Sequence, residues 1–484
     1  MLALSVTCAG TPAGARAASN ALGPVRRAHS AQALAPAPAP SPRRRGPSVS
    51  AVLQSLLGSA QIDQPHYGAD LATYVSAKRA LGALGGTRRA ELGAVLANVQ
   101  AIAAAGALSA SRLGALFLTL ERNLQVWRGG ALPAPNTYVS DPGSEIVWEY
   151  YPGQGVEIQW LATFGKGNSY YARHEDANLR QLLSEVMPLA AQRAGGIAWE
   201  YIFRFDGGAP PWTSGLSQGT ALQLLARAYA RFGEPAYLAA AQQALPLFEV
   251  APPQGVRVAT PAGALYAEYT YAPSDRILNG FIQALVGLYD YASITHDPIG
   301  AQLFEAGDAQ ARAMLGTYNT GAWSLYDQFG ESSLNYHELL AEFLTHLCER
   351  TRKGAPLAPH AALAEDAIYC ATAQAFDADL HTPPVLALLS QQLRGGTRAG
   401  VQVSLSKVAL VELTVMQGAR VVRRVAATVE RGTPRLLWVT PRAGGTFTAS
   451  VTATDLAGNV ATTTGTLVVQ PQPRRPHKPS RPHA

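Results

Sequence analysis

The spacing of apolar residues changes sharply after Pro383 in this chain of 484 residues. Before Pro383, apolar side chains recur at three- and four-residue intervals, as between residues 92 and 99, which predicts amphipathic helices. After it, residues 401–440 and 445–469 alternate apolar and polar side chains, which predicts short β-strands. A helical part of this length and a strand-rich part bury their apolar faces differently, so the pattern predicts more than one domain.

The helical part predicts paired helices that pack around a centre. Helical patterns cover residues 52–127 and much of 176–375, and strand-like runs with glycine and proline lie at 137–165 and 197–205. Consecutive helices with short loops and β-hairpins favour an α/α toroid, that is, an incomplete α/α barrel. The fold class we expect is therefore α+β multidomain, with this toroid followed by a small all-β, immunoglobulin-like (Ig-like) sandwich. The phrase TATDLAGNVAT at 452–462 resembles the last hairpin of Ig-like domains in bacterial extracellular proteins.

Composition divides the chain into five predicted parts. They are a signal-like and Pro/Ala/Arg-rich segment (1–49), an N-terminal helical region (50–135), the α/α domain (136–382), the Ig-like sandwich (395–470) and a basic, Pro-rich tail (471–484). Residues 1–20 resemble a weak secretion signal, which favours a secreted or cell-surface protein. The basic ends are explained by solvated tails or by attraction to an anionic polymer, either the substrate or a cell wall.

Several classes of function lack their sequence signals. The body has no basic stripe with interleaved aromatics, so no nucleic-acid partner is predicted. No apolar run approaches the length of a membrane span. P-loop, dinucleotide and metal-ligand motifs are absent, so neither a cofactor nor a metal is predicted. Cys348 and Cys370 fit either a disulfide or two small buried apolar residues, and the sequence leaves both open.

Three short stretches contain the candidate functional residues: WTSGLSQG at 212–219, EYTYAPSDRILNGF at 268–281, and residues 324–337 with LYD and NYH. They supply one carboxylate and three phenols, namely Glu268, Tyr269, Tyr326 and Tyr336. A carboxylate among several tyrosines suits proton abstraction next to a carboxylate group. It suits hydride, phosphoryl or metal chemistry much less well.

At these motifs, residues 145–375 resemble the C-terminal domain of the D-glucuronyl C5-epimerases. WTSGLSQGTALQLLARAY, AEYTYAPSDRILNGFIQALVGLYDY, MLGTYNTGAWSLYDQ and NYHELLAEFL follow the order and spacing of that family. The family converts glucuronate to iduronate inside heparan-type polysaccharides. The resemblance implies an isomerase that inverts C5 of D-glucuronate residues within a polysaccharide by proton abstraction and reprotonation. It also implies a uronic-acid-containing polysaccharide as partner, and a homodimer is compatible with it.

The resemblance assigns roles by position. Glu268 matches the family's catalytic glutamate, and we expect Glu268 and Tyr336 to be the two proton carriers. Tyr326 and Tyr269 would hold the sugar carboxylate and assist proton transfer. The predicted substrate-binding residues are Trp212, Gln218, Asn279, Arg173, His174, Arg276 and His337. Several have a plain structural alternative, such as core packing for Trp212 and a surface salt bridge for Arg173.

Two departures from the family affect the predicted activity. Asp327-Gln328-Phe329 stands where eukaryotic members carry a basic pair, and Leu340 replaces a second histidine. A cation close to the sugar carboxylate or sulfate is therefore missing, although Arg276 or Arg173 could substitute. The alternatives are a uronate polysaccharide lyase, which begins with the same C5 proton abstraction, and a non-catalytic extracellular glycan-binding protein. A glycoside hydrolase ranks last, because Glu268 has no obvious carboxylate partner.

Overall fold

The computed structural model describes residues 46–359 and 367–472. The predicted signal-like segment, up to residue 45, and the basic tail from residue 473 lie outside the described residues. The described residues form two compact units, each treated separately below. The first comprises 46–316, 327–329, 342–359 and 367–370, and the second comprises 317–326, 330–341 and 371–472.

The first unit begins with four helices. They are α1 (Val49–Gly58), α2 (Gln64–Ala83), α3 (Gly86–Ala104) and α4 (Ala110–Arg128). Ser48 and Asp63 cap the first two, because their side chains accept hydrogen bonds from first-turn backbone N–H groups. Leucine, valine and isoleucine at helical spacing in α3 and α4 form the buried face of this region.

A three-stranded antiparallel sheet follows the four helices. Its strands are β1 (Tyr138–Val139), β2 (Trp148–Tyr151) and β3 (Gly155–Ile158), in the order β1-β2-β3. On one face, Tyr150 donates a hydrogen bond of 2.9 Å to Glu91 of α3. The other face presents Glu149, Tyr151 and Glu157, because alternate residues of a strand point to opposite sides.

Six helices form the centre of the first unit. They are α5 (Trp160–Arg173), α6 (Asp176–Val186), α7 (Gly215–Phe232), α8 (Pro235–Ala244), α9 (Leu278–Thr295) and α10 (Pro298–Leu315). Helices α7 and α9 pack backbone against backbone, since a Cβ added at Gly219 would lie 2.6 Å from the Cα of Ala284. Gly287 approaches the carbonyl of Gly219 from the other helix. The glycines of the SQG and VGL phrases are therefore explained by this crossing.

Short hairpins connect these helices. They are formed by β4 (Ala191–Arg193) with β5 (Gly196–Ala198), and by β6 (Arg257–Ala259) with β7 (Ala264–Tyr266). The chain continues through α11 (Leu334–Thr351), β8 (Gly354–Ala355), β9 (Ala358–Pro359) and α12 (Ala367–Asp379). Cys348 and Cys370 form a disulfide across 22 residues, with their Cα atoms 5.0 Å apart. The structure thereby selects the bonded alternative that the sequence left open.

The second unit contains two antiparallel-rich sheets with one shared core. Its strands are β10 (Leu386–Leu388), β11 (Gln392–Arg394), β12 (Arg398–Leu405), β13 (Ala409–Gln417), β14 (Arg420–Val429), β15 (Arg435–Val439), β16 (Gly445–Asp455) and β17 (Val460–Gln470). One sheet has the order β10-β12-β15 and the other β11-β17-β16-β13-β14. Inward residues of both sheets, including Val403, Val411 and Trp438, form one buried cluster. The alternation read from the sequence is therefore confirmed as strands.

A mixed α and β architecture with a strand-rich C-terminal region is thus confirmed. The α/α toroid, the Ig-like class of the sandwich and the five domain boundaries stay predictions. Within the described ranges, no helix is long and apolar enough to cross a membrane.

Candidate functional site

Backbone hydrogen bonds hold the segment that carries Glu268. The segment follows β7, and its Ala267 accepts from the backbone N–H of Gly215 at 2.9 Å. Beyond Glu268, the N–H of Thr270 donates to the carbonyl of Thr213 at 3.2 Å. These two backbone hydrogen bonds therefore join the residues before α7 to the residues around Glu268.

Glu268 is almost completely buried, with 1% of its surface exposed. In the described part of the chain, no cation forms an ion pair with its carboxyl group, and the Tyr269 side chain donates a hydrogen bond to it. Burial raises the pKa of Glu268 to about 8, and the Tyr269 side chain opposes part of this rise. A carboxyl group with such a pKa is a stronger base when ionised than an exposed glutamate, and it holds a proton near neutral pH.

The first turn of α9 lies against this carboxyl group. A Cβ added at Gly280 would be 3.1 Å from the Cδ of Glu268. Asn279 precedes it and is also buried, and neither its amide nitrogen nor its amide oxygen has a hydrogen-bond partner within the described ranges. Buried polar atoms without protein partners are rare, and they suit the binding of water or of ligand hydroxyl groups.

Aromatic rings pack beside Glu268. Trp212 stacks on Tyr201 with ring centroids 4.2 Å apart, and it lies 5.7 Å from Tyr269 and 5.3 Å from Tyr271. Its indole N–H donates to the carbonyl of Phe203 at 2.8 Å. Trp212 is 1% exposed, so in this structure it packs in the core. The sequence had left core packing and stacking on a sugar equally open.

Four further polar residues near this group were missed by the sequence analysis. Glu149 accepts a hydrogen bond of 2.8 Å from the phenol of Tyr151, and Gln159 donates to the same phenol at 3.0 Å. The amide oxygen of Gln159 lies 3.4 Å from the hydroxyl of Tyr201. A signal was present, because Glu149, Tyr151 and Glu157 occupy the polar positions of otherwise apolar strand-like runs.

Tyr201 connects the two carboxyl groups electrostatically. Burial is the main cause of its raised pKa, and the charges of Glu268 and then Glu149 raise it further. Burial also raises the pKa of Glu149 to about 7, against the hydrogen bonds from Tyr151 and Gln159. The first unit therefore contains two perturbed carboxyl groups that both act on one buried phenol.

The second unit holds the other predicted tyrosines together. The rings of Tyr326 and Tyr336 are 4.7 Å apart, and both side chains are buried. His337 stacks on Trp323 with ring centroids 3.7 Å apart. The two tyrosines therefore pack on each other, and His337 packs on Trp323.

Both ring nitrogens of His337 have protein partners. The backbone N–H of Ser324 donates to Nδ1 at 3.1 Å, so the network assigns the proton to Nε2, which donates to the carbonyl of Phe376 at 2.8 Å. Burial lowers the pKa of His337 to about 4. This neutral ring supports the loop that carries Tyr326 and leaves no nitrogen for a substrate.

The remaining predicted binding residues have varied surroundings. Gln218 is buried and forms two hydrogen bonds with the backbone of Trp199. Its amide oxygen accepts from the Trp199 N–H at 3.1 Å, and its amide nitrogen donates to the Trp199 carbonyl at 2.9 Å. Arg173 is exposed and pairs with Glu175 at 2.7 Å, which is the salt bridge that the sequence allowed. His174 is exposed and lies 3.0 Å from Arg231. The backbone N–H of Arg276 donates to Gln328 at 2.9 Å, and its side chain is exposed.

In the described ranges, no group of three or more His, Cys, Asp or Glu residues is placed to hold a metal ion.

Part of the chain matches a known protein family. Residues 194–356 match the family described as D-glucuronyl C5-epimerase C-terminus. The matched segment covers about a third of the chain. The matched residues include Glu268, Tyr326 and Tyr336, so the epimerase-family segment contains the predicted proton carriers.

Two relatives share part of this chain. A D-glucuronyl C5-epimerase of Caenorhabditis elegans is 32% identical over 131 residues, which cover 24% of this chain and 21% of the relative. An uncharacterised protein of Methanocaldococcus jannaschii is 28% identical over 151 residues, which cover 30% of this chain and 49% of the relative. The chain therefore spans about a fifth and about a half of these relatives.

Among solved structures, a crystal structure of an engineered protein covers 78% of this chain and 85% of its own at 15% identity. The TM-score of this match is 0.16.

Proposed function

We propose that this protein is an epimerase that inverts C5 of D-glucuronate residues within a polysaccharide. The observation that carries the proposal is Glu268, a buried carboxyl group that forms no ion pair among the described residues and has a pKa of about 8. It lies in the segment that matches the epimerase family. A buried carboxylate with a purely structural role is normally paired with a cation, as Glu200 is with Arg112 and Arg193.

The proposed reaction needs a base and an acid of suitable strength. Ionised Glu268 removes the C5 proton of the uronate, and the C–H electron pair forms the C5=C6 bond of an enediolate. A proton returned to the opposite face of C5 restores the carboxylate with inverted configuration. The resemblance assigns this second proton to the phenol of Tyr336, which is left as a tyrosinate until it is reprotonated by solvent or by Glu268.

Neutral donors would stabilise the enediolate in this proposal. The family's basic pair is replaced here by Asp327-Gln328-Phe329. Buried phenols and amides can take over part of that role, because hydrogen bonds in a site that excludes water stabilise developing charge strongly. Asn279 and Tyr201 support this part of the proposal, because both are buried and polar and belong to the same unit as Glu268.

The substrate, the location and the assembly are part of the same proposal. A uronic-acid polymer of the heparosan type fits the resemblance, and a secreted or cell-surface protein fits the composition of the chain ends. The Ig-like sandwich, cell-wall attachment and a homodimer remain predictions.

Proton exchange at C5 tests the function directly. The full chain is incubated with a glucuronate polymer in D2O, and the C5 proton signal is followed by NMR. We expect the signal to disappear and iduronate signals to appear, and both changes to be absent in Glu268→Gln and Tyr336→Phe. Alkene signals would instead identify a lyase. Unchanged C5 signals across several uronate polymers, with binding retained, would leave the glycan-binding alternative and refute the epimerase.

A further inference from the structure

The strand-rich region carries a formal charge opposite in sign to that of the helical region. Residues 386–472 contain nine Lys or Arg and three Asp or Glu residues, which gives a formal charge of +6 at pH 7. Residues 46–385 contain 20 Lys or Arg and 30 Asp or Glu residues, which gives −10. The net charge of the whole chain therefore hides a separation of charge between its two parts.

All eight arginines of residues 386–472 are exposed. Arg420, Arg423 and Arg424 lie on β14, which is an edge strand of the five-stranded sheet. Arg435 begins β15, the next strand along the chain and an edge strand of the other sheet. We call the exposed surface of β14 and β15 the basic edge. The remaining cation, Lys407, is buried and pairs with Asp455 at 2.9 Å.

The arginines of the basic edge are not neutralised by neighbouring carboxylates. Within the described part of the second unit, Arg431 pairs with Glu331 at 3.1 Å, and it is the only one of the eight arginines that forms an ion pair. Glu412 and Glu430 are exposed and form no ion pair there. The positive potential at this surface is therefore available to a partner in solution.

A purely protective role explains the basic edge incompletely. Charged residues of either sign on an edge strand prevent pairing with the strands of other molecules. On β14 all the charges are positive, with three arginines within five residues and a fourth at the start of β15. Arg423 and Arg424 point to opposite faces of the strand, so a linear polyanion can contact both along the open edge, where guanidinium groups bind carboxylates with two parallel hydrogen bonds.

We propose that the basic edge binds a linear anionic polysaccharide, and that its occupant is the uronate polymer of the proposed function, on which this assignment rests. Nucleic acid fits less well, because the two aromatic residues of 386–472, Trp438 and Phe447, are both buried and cannot stack on bases. Since the helical part is acidic, it repels a polyuronate at long range. The basic edge supplies the attraction that raises the local concentration of the polymer.

The experiment measures polymer binding by the full chain, separately from turnover. Isothermal titration calorimetry with an unsulfated glucuronate polymer is done at several salt concentrations between about 50 and 200 mM NaCl. The test variant combines Arg420→Gln, Arg423→Gln and Arg424→Gln. Its matched control removes three exposed cations from the helical part, with Lys78→Gln, Arg352→Gln and Lys353→Gln.

We expect the test variant to bind at least about tenfold more weakly at low salt, with a smaller dependence on salt concentration. The control should change affinity less than about twofold, and Glu412→Gln should strengthen binding, because it removes a negative charge next to the basic edge. Circular dichroism melting should be unchanged in the test variant, since the three side chains are exposed.

Four results would overturn the proposal. Two concern the variants: the test variant binds the polymer as tightly as the wild type, or the control variant loses as much affinity as the test variant. In the third, affinity falls only in a variant that neutralises Arg474, Arg475, Lys478 and Arg481. In the fourth, a DNA oligomer with the same number of charges binds as tightly as the polymer. A failure of the proposed function can be distinguished from a failure of this assignment. If the polymer binds through the basic edge but no C5 proton exchanges, the edge assignment stands and the epimerase does not.

Discussion

Gly280 lies directly against the carboxyl group of Glu268. A Cβ added at Gly280 would be 3.1 Å from Cδ of Glu268 and closer still to Oε2. Gly280 is the third residue of α9, so the carboxyl group packs on a first turn whose backbone N–H groups have no partner within the helix. The glycine of LNGF is therefore explained by the close approach of a buried side chain.

Gly280→Ala should destabilise the protein and displace Glu268. The new methyl group overlaps the carboxyl group, so we expect a loss of about 1–3 kcal/mol in the free energy of unfolding. Urea denaturation measures this loss. C5 exchange should fall with it, because a proton-transfer group displaced by a fraction of an ångström loses its alignment.

Gly165→Ala is the matched control for this substitution. Gly165 lies in α5, and nothing is within 4 Å of an added Cβ. Alanine there should stabilise the helix by about 0.5–1 kcal/mol. Combining Gly280→Ala with Glu268→Ala should recover part of the loss, since the overlapping group is then absent. Additive effects in this double variant would contradict the contact.

Glu268→Gln should stabilise the protein at alkaline pH while abolishing exchange. The pKa of Glu268 is about 8 in the folded chain, against an ordinary value of 4.5. As pH rises from 4.5 to 8, the unfolded chain ionises first, so the native state loses stability in this window. Glutamine removes that loss, and we expect a gain on the order of 2–4 kcal/mol at pH 8 and little gain at pH 4.5.

Glu200→Gln should show the opposite sign. Glu200 is buried between Arg112 and Arg193, so its removal leaves two cations without their carboxylate. We expect a loss on the order of 3 kcal/mol near neutral pH. Denaturation curves at several pH values compare the two variants. Equal behaviour would mean that Glu268 has a counter-charge.

The sequence predicted the classes of the elements because their periods are long and regular. Alternation from Arg398 onward identified strands, and three- and four-residue spacing identified α3, α4 and α9. Residues 317–326 and 330–341, with Tyr326 and Tyr336, group with the C-terminal strands in the compact unit, although the sequence placed them in the helical domain. That grouping depends on contacts between distant segments, such as His337 with Phe376, which no local pattern reveals.

The candidate residues were chosen where motif order was informative, and their catalytic roles stay predictions. Glu268 was singled out because a carboxylate followed by tyrosines is unusual, whereas the close contact of Gly280 with it was not predicted. Glu149 and Tyr201 were missed because a single strand-like run does not show which of its faces is buried. Their link to Glu268 appears only when the hairpin, Gln159 and the residues before α7 are assembled.

Tyr269→Phe should change the titration of Glu268. A hydrogen bond from the Tyr269 side chain lowers the pKa of Glu268, so removing that donor should raise this pKa further. Carbon-13 NMR of the labelled Glu268 carboxyl group measures this shift. A lower rate of C5 exchange with unchanged polymer binding should accompany it, if the phenol stabilises the enediolate.

Tyr150→Phe is the control for the Tyr269 variant. Tyr150 is also buried and loses one hydrogen bond to a glutamate, Glu91, but it lies on the opposite face of β2 from Glu149. Its substitution should leave the titration of Glu268 unchanged at a similar cost in stability, about 1–2 kcal/mol. Equal shifts in both variants would show that the Tyr269 hydrogen bond does not lower the pKa of Glu268.

The disulfide between Cys348 and Cys370 should stabilise the end of α11. It closes a loop across 22 residues, and such a link typically stabilises a fold by about 2–4 kcal/mol. The double variant Cys348→Ser, Cys370→Ser should therefore melt several degrees lower, and reductant should lower the wild-type melting temperature to the same value. Alkylation and mass spectrometry report the bond itself. Two free thiols in the oxidised protein would contradict it.

His337 should impose a stability loss at acidic pH rather than take part in proton transfer. Burial lowers its pKa to about 4 from an ordinary value of 6.5. As pH falls from 6.5 to 4, the unfolded chain takes up this proton and the native chain does not, so the native state loses up to about 3 kcal/mol. His337→Gln should be less stable at every pH, because it loses the ring stack and two hydrogen bonds, but its curve should be flatter in this window. An unchanged slope in His337→Gln would show that the ring is charged in the native state, and would return it to the set of possible proton donors.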